Sequence, residues 1–139
     1  MPGVFLYKTY HGRPTLNNKR MKTEEIANRL AAYCRKADWE GAQKELYAPD
    51  AKSIEPYASH GFAKETIGLD AIIEKGKKFN SMVEKIHSIE ISEPLVAGNS
   101  IVFKMGMDIT MKGQGRMNSP ELCLYQVKDG KIISEEFFV

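Results

Sequence analysis

The chain has no long hydrophobic run, few cysteines and almost no charge imbalance, and each shortage closes a class of function. No stretch of its 139 residues approaches the roughly 20 consecutive apolar residues that span a bilayer, which argues against a membrane protein. The two cysteines, Cys34 and Cys123, lie far apart, with no CxxC spacing and no neighbouring histidine pair. No zinc site or disulfide framework is expected of them. They read as free, partly buried thiols in a reducing compartment. Twenty basic residues against 18 acidic ones leave a formal net charge of +2, too small to make nucleic acid or an acidic membrane a default partner. A short apolar run, Val4 to Leu6, is broken by Lys8, His11 and Arg13 before a secretory core can form. A cytoplasmic location follows. No Gly-rich phosphate loop is present, and no cofactor is implied.

What is there is one domain's worth of chain, long enough to bury a core without disulfides or metal. Residues 1–20, with Pro2, Gly3, Gly12, Pro14 and a polar run from Asn17 to Arg20, read as a loose N-terminal extension before a single domain at 21–139. The alternative is a short arm, built on Val4, Phe5, Leu6, Tyr7 and Tyr10, that packs on a neighbour.

Thr23 is placed to cap a first helix, with Glu24 and Glu25 on its first turn. Ile26, Leu30, Tyr33 and Ala37 continue it at helical spacing. Asp38 restarts a second short helix through Trp39, Ala42 and Leu46, which Pro49 ends. Residues 52–57 predict a short strand and 58–67 a loop. A third helix starts near Leu69, with Leu69, Ile72, Ile73, Gly76, Phe79 and Val83 on one face and Glu74, Lys75, Lys77 and Lys78 on a solvated one. After residue 84 the period becomes strand-like, predicting strands at 85–96, 100–112, 116–128 and 131–138. Breaks at Ala97-Gly98-Asn99, Gly113-Gln114-Gly115 and Asp129-Gly130 separate them. The order is three helices and then an antiparallel meander.

Two-residue turns at Gly113-Gln114 and Asp129-Gly130 would pair Phe103 with Leu124, Met105 with Leu122, Leu124 with Glu135 and Leu122 with Phe137. One face then carries Ile101, Phe103, Met105, Met107, Ile109, Leu122, Leu124, Ile133 and Phe137, with a single carboxylate, Glu135. His87, Ile89 and Ile91 join it. The other face holds Lys104, Asp108, Glu121, Cys123, Tyr125, Ser134 and Glu136, a mixed surface suited to a sheet-to-sheet homodimer.

Trp39, the run Tyr47-Ala48-Pro49-Asp50, a strand bearing SIEP at 53–56, GLDAI at 68–72, Val96-Ala97-Gly98-Asn99, and DGKII at 129–133 followed by Phe137-Phe138 resemble, in order and spacing, the nuclear transport factor 2-like superfamily. Within it the chain is most similar to SnoaL-like proteins, over about residues 23–139. The resemblance implies an α+β cone: three N-terminal helices packed on a curved antiparallel sheet, with an apolar cavity open at one end, usually in a dimer. Members include polyketide cyclases, ketosteroid isomerases, epoxide hydrolases and dehydratases, and fold alone does not choose among them. The catalytic sets of the isomerases and cyclases do not map onto matching motifs here.

Enzymes on this fold commonly place a carboxylate or imidazole at the cavity as general base, because an apolar pocket raises a carboxyl pKa. Glu135 is the first candidate; pairing with Arg116 or an edge lysine is its structural alternative. His87 and Tyr57 are candidate helpers. Expected ligand contacts are Trp39, Glu55, His60, Phe103, Met105, Met107, Leu122 and Phe137, with His60 in a lid-like loop and the methionines suiting an adaptable pocket. A metal set of Glu55, His60 and His87 is disfavoured by its spacing. The expected function is binding of a small apolar organic molecule, with isomerisation, cyclisation or dehydration by general acid/base chemistry. The alternative is a non-catalytic ligand-binding or dimerisation module.

Overall fold

The computed structural model of the chain describes residues 20–139; the expected extension at 1–20 falls almost wholly outside them. Helix α1 (Thr23–Arg35) buries Ile26, Ala27, Leu30, Ala31 and Cys34. Thr23 is its first helical residue rather than its cap. The capping position is Lys22, which makes no side-chain cap, and the Thr23 hydroxyl reaches Asn99 Oδ1 at 3.4 Å. Asp38 does cap α2 (Trp39–Leu46), accepting from the Gly41 N–H at 3.0 Å.

Strand β1 (Tyr47–Ile54) follows α2 without a loop, so it starts earlier and ends sooner than the 52–57 expected. Pro49 lies inside β1, where the register shifts between Tyr47 and Lys52; a proline cannot donate to the ladder and sits where pairing is broken. After β2 (Glu65–Ile67) comes α3 (Leu69–Met82), then β3 (Val83–Ile91), β4 (Leu95–Ala97), β5 (Ser100–Met111), β6 (Gly115–Lys128) and β7 (Lys131–Phe138). The segment expected as one strand at 85–96 is thus split, with Pro94 in the break. The sheet runs β2-β1-β7-β6-β5-β3, with β4 on β5, and is antiparallel except where β1 lies parallel to β7. The three helices cover one of its faces. Ile26, Leu30, Leu46, Ile72, Ile101, Cys123 and Ile132 are fully buried between the layers.

Two registers differ from expectation. The β5–β6 loop has three residues rather than two: Met111 pairs with Gly115, and Gly113 and Gly115 take the positive φ values of 74° and 87° that close it. Phe103 therefore pairs with Cys123 and Met105 with Glu121. A one-residue slip turns every side chain of β6 over. Glu121, Cys123 and Tyr125 face inward, whereas Leu122 faces outward, 51% exposed. The Asp129-Gly130 turn does pair Lys128 with Lys131, but β7 then bulges at Ile133, so Tyr125 lies opposite Glu135 and Cys123 opposite Phe137. Ile132 is the buried residue there, and Ile133 is only partly covered.

Candidate functional site

The site begins where packing stops. Along α3, Ile72, Lys75, Gly76 and Phe79 share one stripe by their i, i+3, i+4, i+7 spacing, yet only Ile72 is buried. The rest of the stripe stands off the sheet and leaves a cavity of about 320 Å³. Gly76 keeps it open: a side chain there would meet only Gln43 Oε1, at 4.0 Å. Trp39, Phe79, Met82, Met105, Met107 and Phe137 supply apolar wall, and Tyr57, His60 and Phe62 come from the connection between β1 and β2. The volume lies at the small end of the range for organic-ligand sites.

That connection is pinned to α3. Lys78 Nζ donates to the Gly61 carbonyl at 2.6 Å and lies 4.6 Å from the centre of the Phe62 ring. A bridge between Ser59 and Phe62 holds the loop, and His60 and Gly61 adopt positive φ values of 51° and 80°.

One wall of the cavity is polar and connected. Glu135 on β7 is 5% exposed and accepts from the Tyr47 hydroxyl. The parallel pairing of β1 with β7 sets Ser53 beside it, where its hydroxyl favours the ionised carboxyl. Lys75 Nζ donates to Ser53 Oγ at 2.7 Å and to Glu55 Oε2 at 2.9 Å. The bonded pair Tyr47–Glu135 and the bonded set Ser53–Lys75–Glu55 thus lie side by side along one wall.

Burial is the main influence on Glu135 and raises its pKa; the neighbouring hydroxyls of Ser53 and Tyr47 and the charge of Lys75 pull the other way, and Glu55 adds to the rise. Glu135 therefore holds its proton to higher pH than an ordinary glutamate and, once ionised, is a stronger base. Tyr47, buried beside that carboxyl, is pushed well above its usual range and stays protonated. Burial pushes the Cys34 thiol up to about 12, so it lines the cavity as a neutral group. Glu121, at the same cavity, is pushed up to about 7 by burial first and then by Glu55 and Glu135, against the charge of Lys75.

Trp39, Glu55, Tyr57, His60, Met105, Met107, Glu135 and Phe137 of the expected set line the cavity. Tyr57 is a rim residue, 60% exposed. Three expected residues are elsewhere. Phe103 is core, packed on Tyr125 with ring centres 5.4 Å apart. Leu122 is on the outer face for the register reason given above. His87 falls in a bulge of β3, between Ile86 and Ser88, which turns its ring outward to Thr110 Oγ1 at 2.7 Å. It cannot help Glu135. Arg116, offered as a partner for Glu135, instead forks onto Asp108, both contacts at 2.9 Å.

Tyr47, Ser53, Lys75 and Glu121 were not among the expected site residues. Lys75 was legible: it sits one turn from Ile72 and from Phe79, on the apolar stripe, rather than on the solvated face to which its charge assigned it. Ser53 follows from Glu55 by strand alternation. Tyr47 and Glu121 depend on bulge and loop registers.

Three helices packed on an open, mostly antiparallel sheet give the chain the nuclear transport factor 2-like, ketosteroid isomerase-like fold. The chain belongs to the SnoaL-like domain family, whose model matches residues 21–139. Among solved structures it is similar to a candidate SnoaL-like polyketide cyclase from Mesorhizobium loti, at 29% identity, covering 86% of this chain and all of that one, with a TM-score of 0.78. A nuclear transport factor 2-like protein of unknown function from Burkholderia pseudomallei matches at 16% identity over 86% and 92% of the chains, TM-score 0.69. A candidate isomerase from Bacillus subtilis matches at 21% identity over 84% and 88%, TM-score 0.66. These last two show the fold alone. No curated protein matches the chain. Among the described residues no helix is long and apolar enough to cross a membrane.

Proposed function

We propose that the cavity binds a small, mostly apolar organic molecule and that Glu135 moves a proton on it, in an isomerisation, cyclisation or dehydration. The observation that carries this reading is the buried Glu135 carboxyl at an otherwise largely apolar cavity, held by Tyr47 and set beside Ser53 rather than paired with a charge-neutralising arginine. Such a carboxylate can take a proton from carbon beside a carbonyl, and hold it for return to a neighbouring atom. Ser53, Lys75 and Glu55 extend the polar wall from Glu135 toward the partly exposed end, a route by which the base can exchange its proton with water. The resemblance to a candidate SnoaL-like polyketide cyclase agrees with the class of reaction.

A thermal-shift screen of neutral aromatic ketones and alcohols, on the wild type and on Glu135→Gln, tests the reading. Ligand at 100 times its Kd stabilises by about 2.7 kcal/mol. A ligand whose stabilisation changes in the variant supports it, and the absence of any binder in a broad neutral panel refutes it.

The outward position of His87 favours a second reading, a ligand-binding module without catalysis; it predicts binders whose stabilisation is the same in wild type and Glu135→Gln. Both readings accommodate a homodimer. On the outer sheet face Leu95 pairs with Val102, Val102 with Leu124, and Leu122 with Phe138, an apolar stripe with Leu95, Leu122 and Phe138 exposed. We propose that a second copy of the chain covers it.

A further inference from the structure

The polar groups of the cavity are unequal in sign. Glu55, Glu121 and Glu135 line it, from β1, β6 and β7, against one ammonium, that of Lys75 on α3. The ammonium is already engaged by Ser53 Oγ and Glu55 Oε2. Glu135 is engaged by Tyr47 and lies beside Ser53. That leaves Glu121: among the described residues it forms no ion pair, although it faces a cavity roomy enough for a ligand. Its strand partner Met105 also lines the cavity, and the aromatic rings of Trp39, Phe79 and Phe137 line the same space.

We propose that the ligand of this cavity carries a protonated amine on an apolar body, and that the amine pairs with Glu121. This rests on the reading that the cavity binds an apolar organic molecule, and it names the class. A carboxylate or phosphate in the same place would face Glu55, Glu121 and Glu135 with no uncommitted cation, which disfavours it strongly in a partly dehydrated space. A neutral ligand leaves Glu121 without a partner. An ammonium pairs with Glu121 and gains further from aromatic faces.

The probes are three compounds on one skeleton: 2-aminotetralin, 2-tetralol and tetralin-2-carboxylate. Trp39 is the only tryptophan of the chain and lines the cavity, so its fluorescence reports occupancy. In the wild type at pH 8 the amine is expected to bind at least about tenfold more tightly than the alcohol, and the carboxylate most weakly. Binding of the amine should strengthen about tenfold from pH 6 to pH 8 as Glu121 ionises, while the alcohol changes little. The charged and titratable groups facing Glu121 are Glu55, Glu135 and Lys75, with His60 also lining the cavity, so Glu121→Gln isolates its part. That variant should lose the preference for the amine and keep the alcohol.

A carboxylate that binds as tightly as the amine, or an amine preference that survives Glu121→Gln, overturns the proposal. Should the variant not fold, an amine affinity that is flat from pH 6 to pH 8 in the wild type overturns it equally. If the alcohol binds without any preference for the amine, only this inference fails. If none of the three binds, the ligand-binding reading fails with it.

Discussion

Replacing Glu121 with glutamine should stabilise the protein, and only above a certain pH. In the folded chain the Glu121 carboxyl is pushed from its ordinary 4.5 to about 7. Below pH 4.5 it is protonated in both folded and unfolded states and contributes nothing to the pH dependence. Between 4.5 and 7 the unfolded chain releases the proton and the folded chain keeps it, so folding stability falls as pH rises. Above 7 both states are ionised and the full cost persists. At 1.36 kcal/mol for each factor of ten in acidity, the displacement corresponds to about 3.4 kcal/mol. Glu121 is partly exposed, so solvent screening reduces this to about 2 kcal/mol. For a domain of this size that is roughly 8 °C in Tm. Thermal melts by circular dichroism at half-unit steps from pH 4 to pH 8 should show Glu121→Gln and wild type coinciding at the acid end and separating above pH 5, with the variant higher. A difference that is constant across the range, or a variant less stable at pH 8, would refute the assignment of a costly, partly desolvated carboxylate to this position.

Three further outcomes follow from the same geometry. Lys75→Met leaves Glu55 unpaired and removes the cation nearest Glu135; it should destabilise the fold by about 2 kcal/mol at pH 7, and a double-mutant cycle with Glu55→Gln should return a coupling above about 1 kcal/mol by urea unfolding. Gly76→Ala should raise stability by up to about 1 kcal/mol, since the helix interior gains and nothing is struck; the added methyl should weaken 2-tetralol binding read by Trp39 fluorescence. Leu122→Lys should convert a dimer to a monomer in sedimentation equilibrium, with the melting curve of the monomer little changed, because Leu122 is on the outer face.

The class of fold was legible because helical and strand periods occupy separate halves of the chain, and because Asp129-Gly130 and the paired glycines at 113 and 115 punctuate the meander. The face of each strand was much less so. Reading the Gly113 turn as two residues put Leu122 and Leu124 inside, where Cys123 and Tyr125 belong. Missing the bulge at Ile133 introduced a second slip in the opposite sense. The two cancel at Glu135 and Phe137, which were expected inside and lie inside, through pairings that do not exist. His87 had no such compensation: one extra residue in β3 turns it outward. Local turn geometry depends on whether a glycine takes positive φ, and a bulge depends on what the neighbouring strand offers, so neither is written in hydrophobic alternation alone. Lys75 illustrates the converse. Its position on the stripe with Ile72 and Phe79 was plain, but a lysine there reads as solvated unless the acceptors it meets, Ser53 and Glu55, are known to lie across from it.

The central claim is that Glu135 is a proton-transferring base in an apolar cavity, and exchange at carbon tests it most directly. 1-Tetralone is a neutral carbon acid on the same skeleton as the binding probes. Loss of the signal from its protons beside the carbonyl, followed by proton NMR in deuterium oxide, should be faster with the wild type than in buffer alone. It should be slowed by a factor of about 10² to 10⁴ in Glu135→Gln relative to wild type, down to the buffer rate if the enhancement is smaller than that. Exchange that is no faster than buffer in the wild type although 1-tetralone is bound, or equally fast in both proteins, would contradict the account.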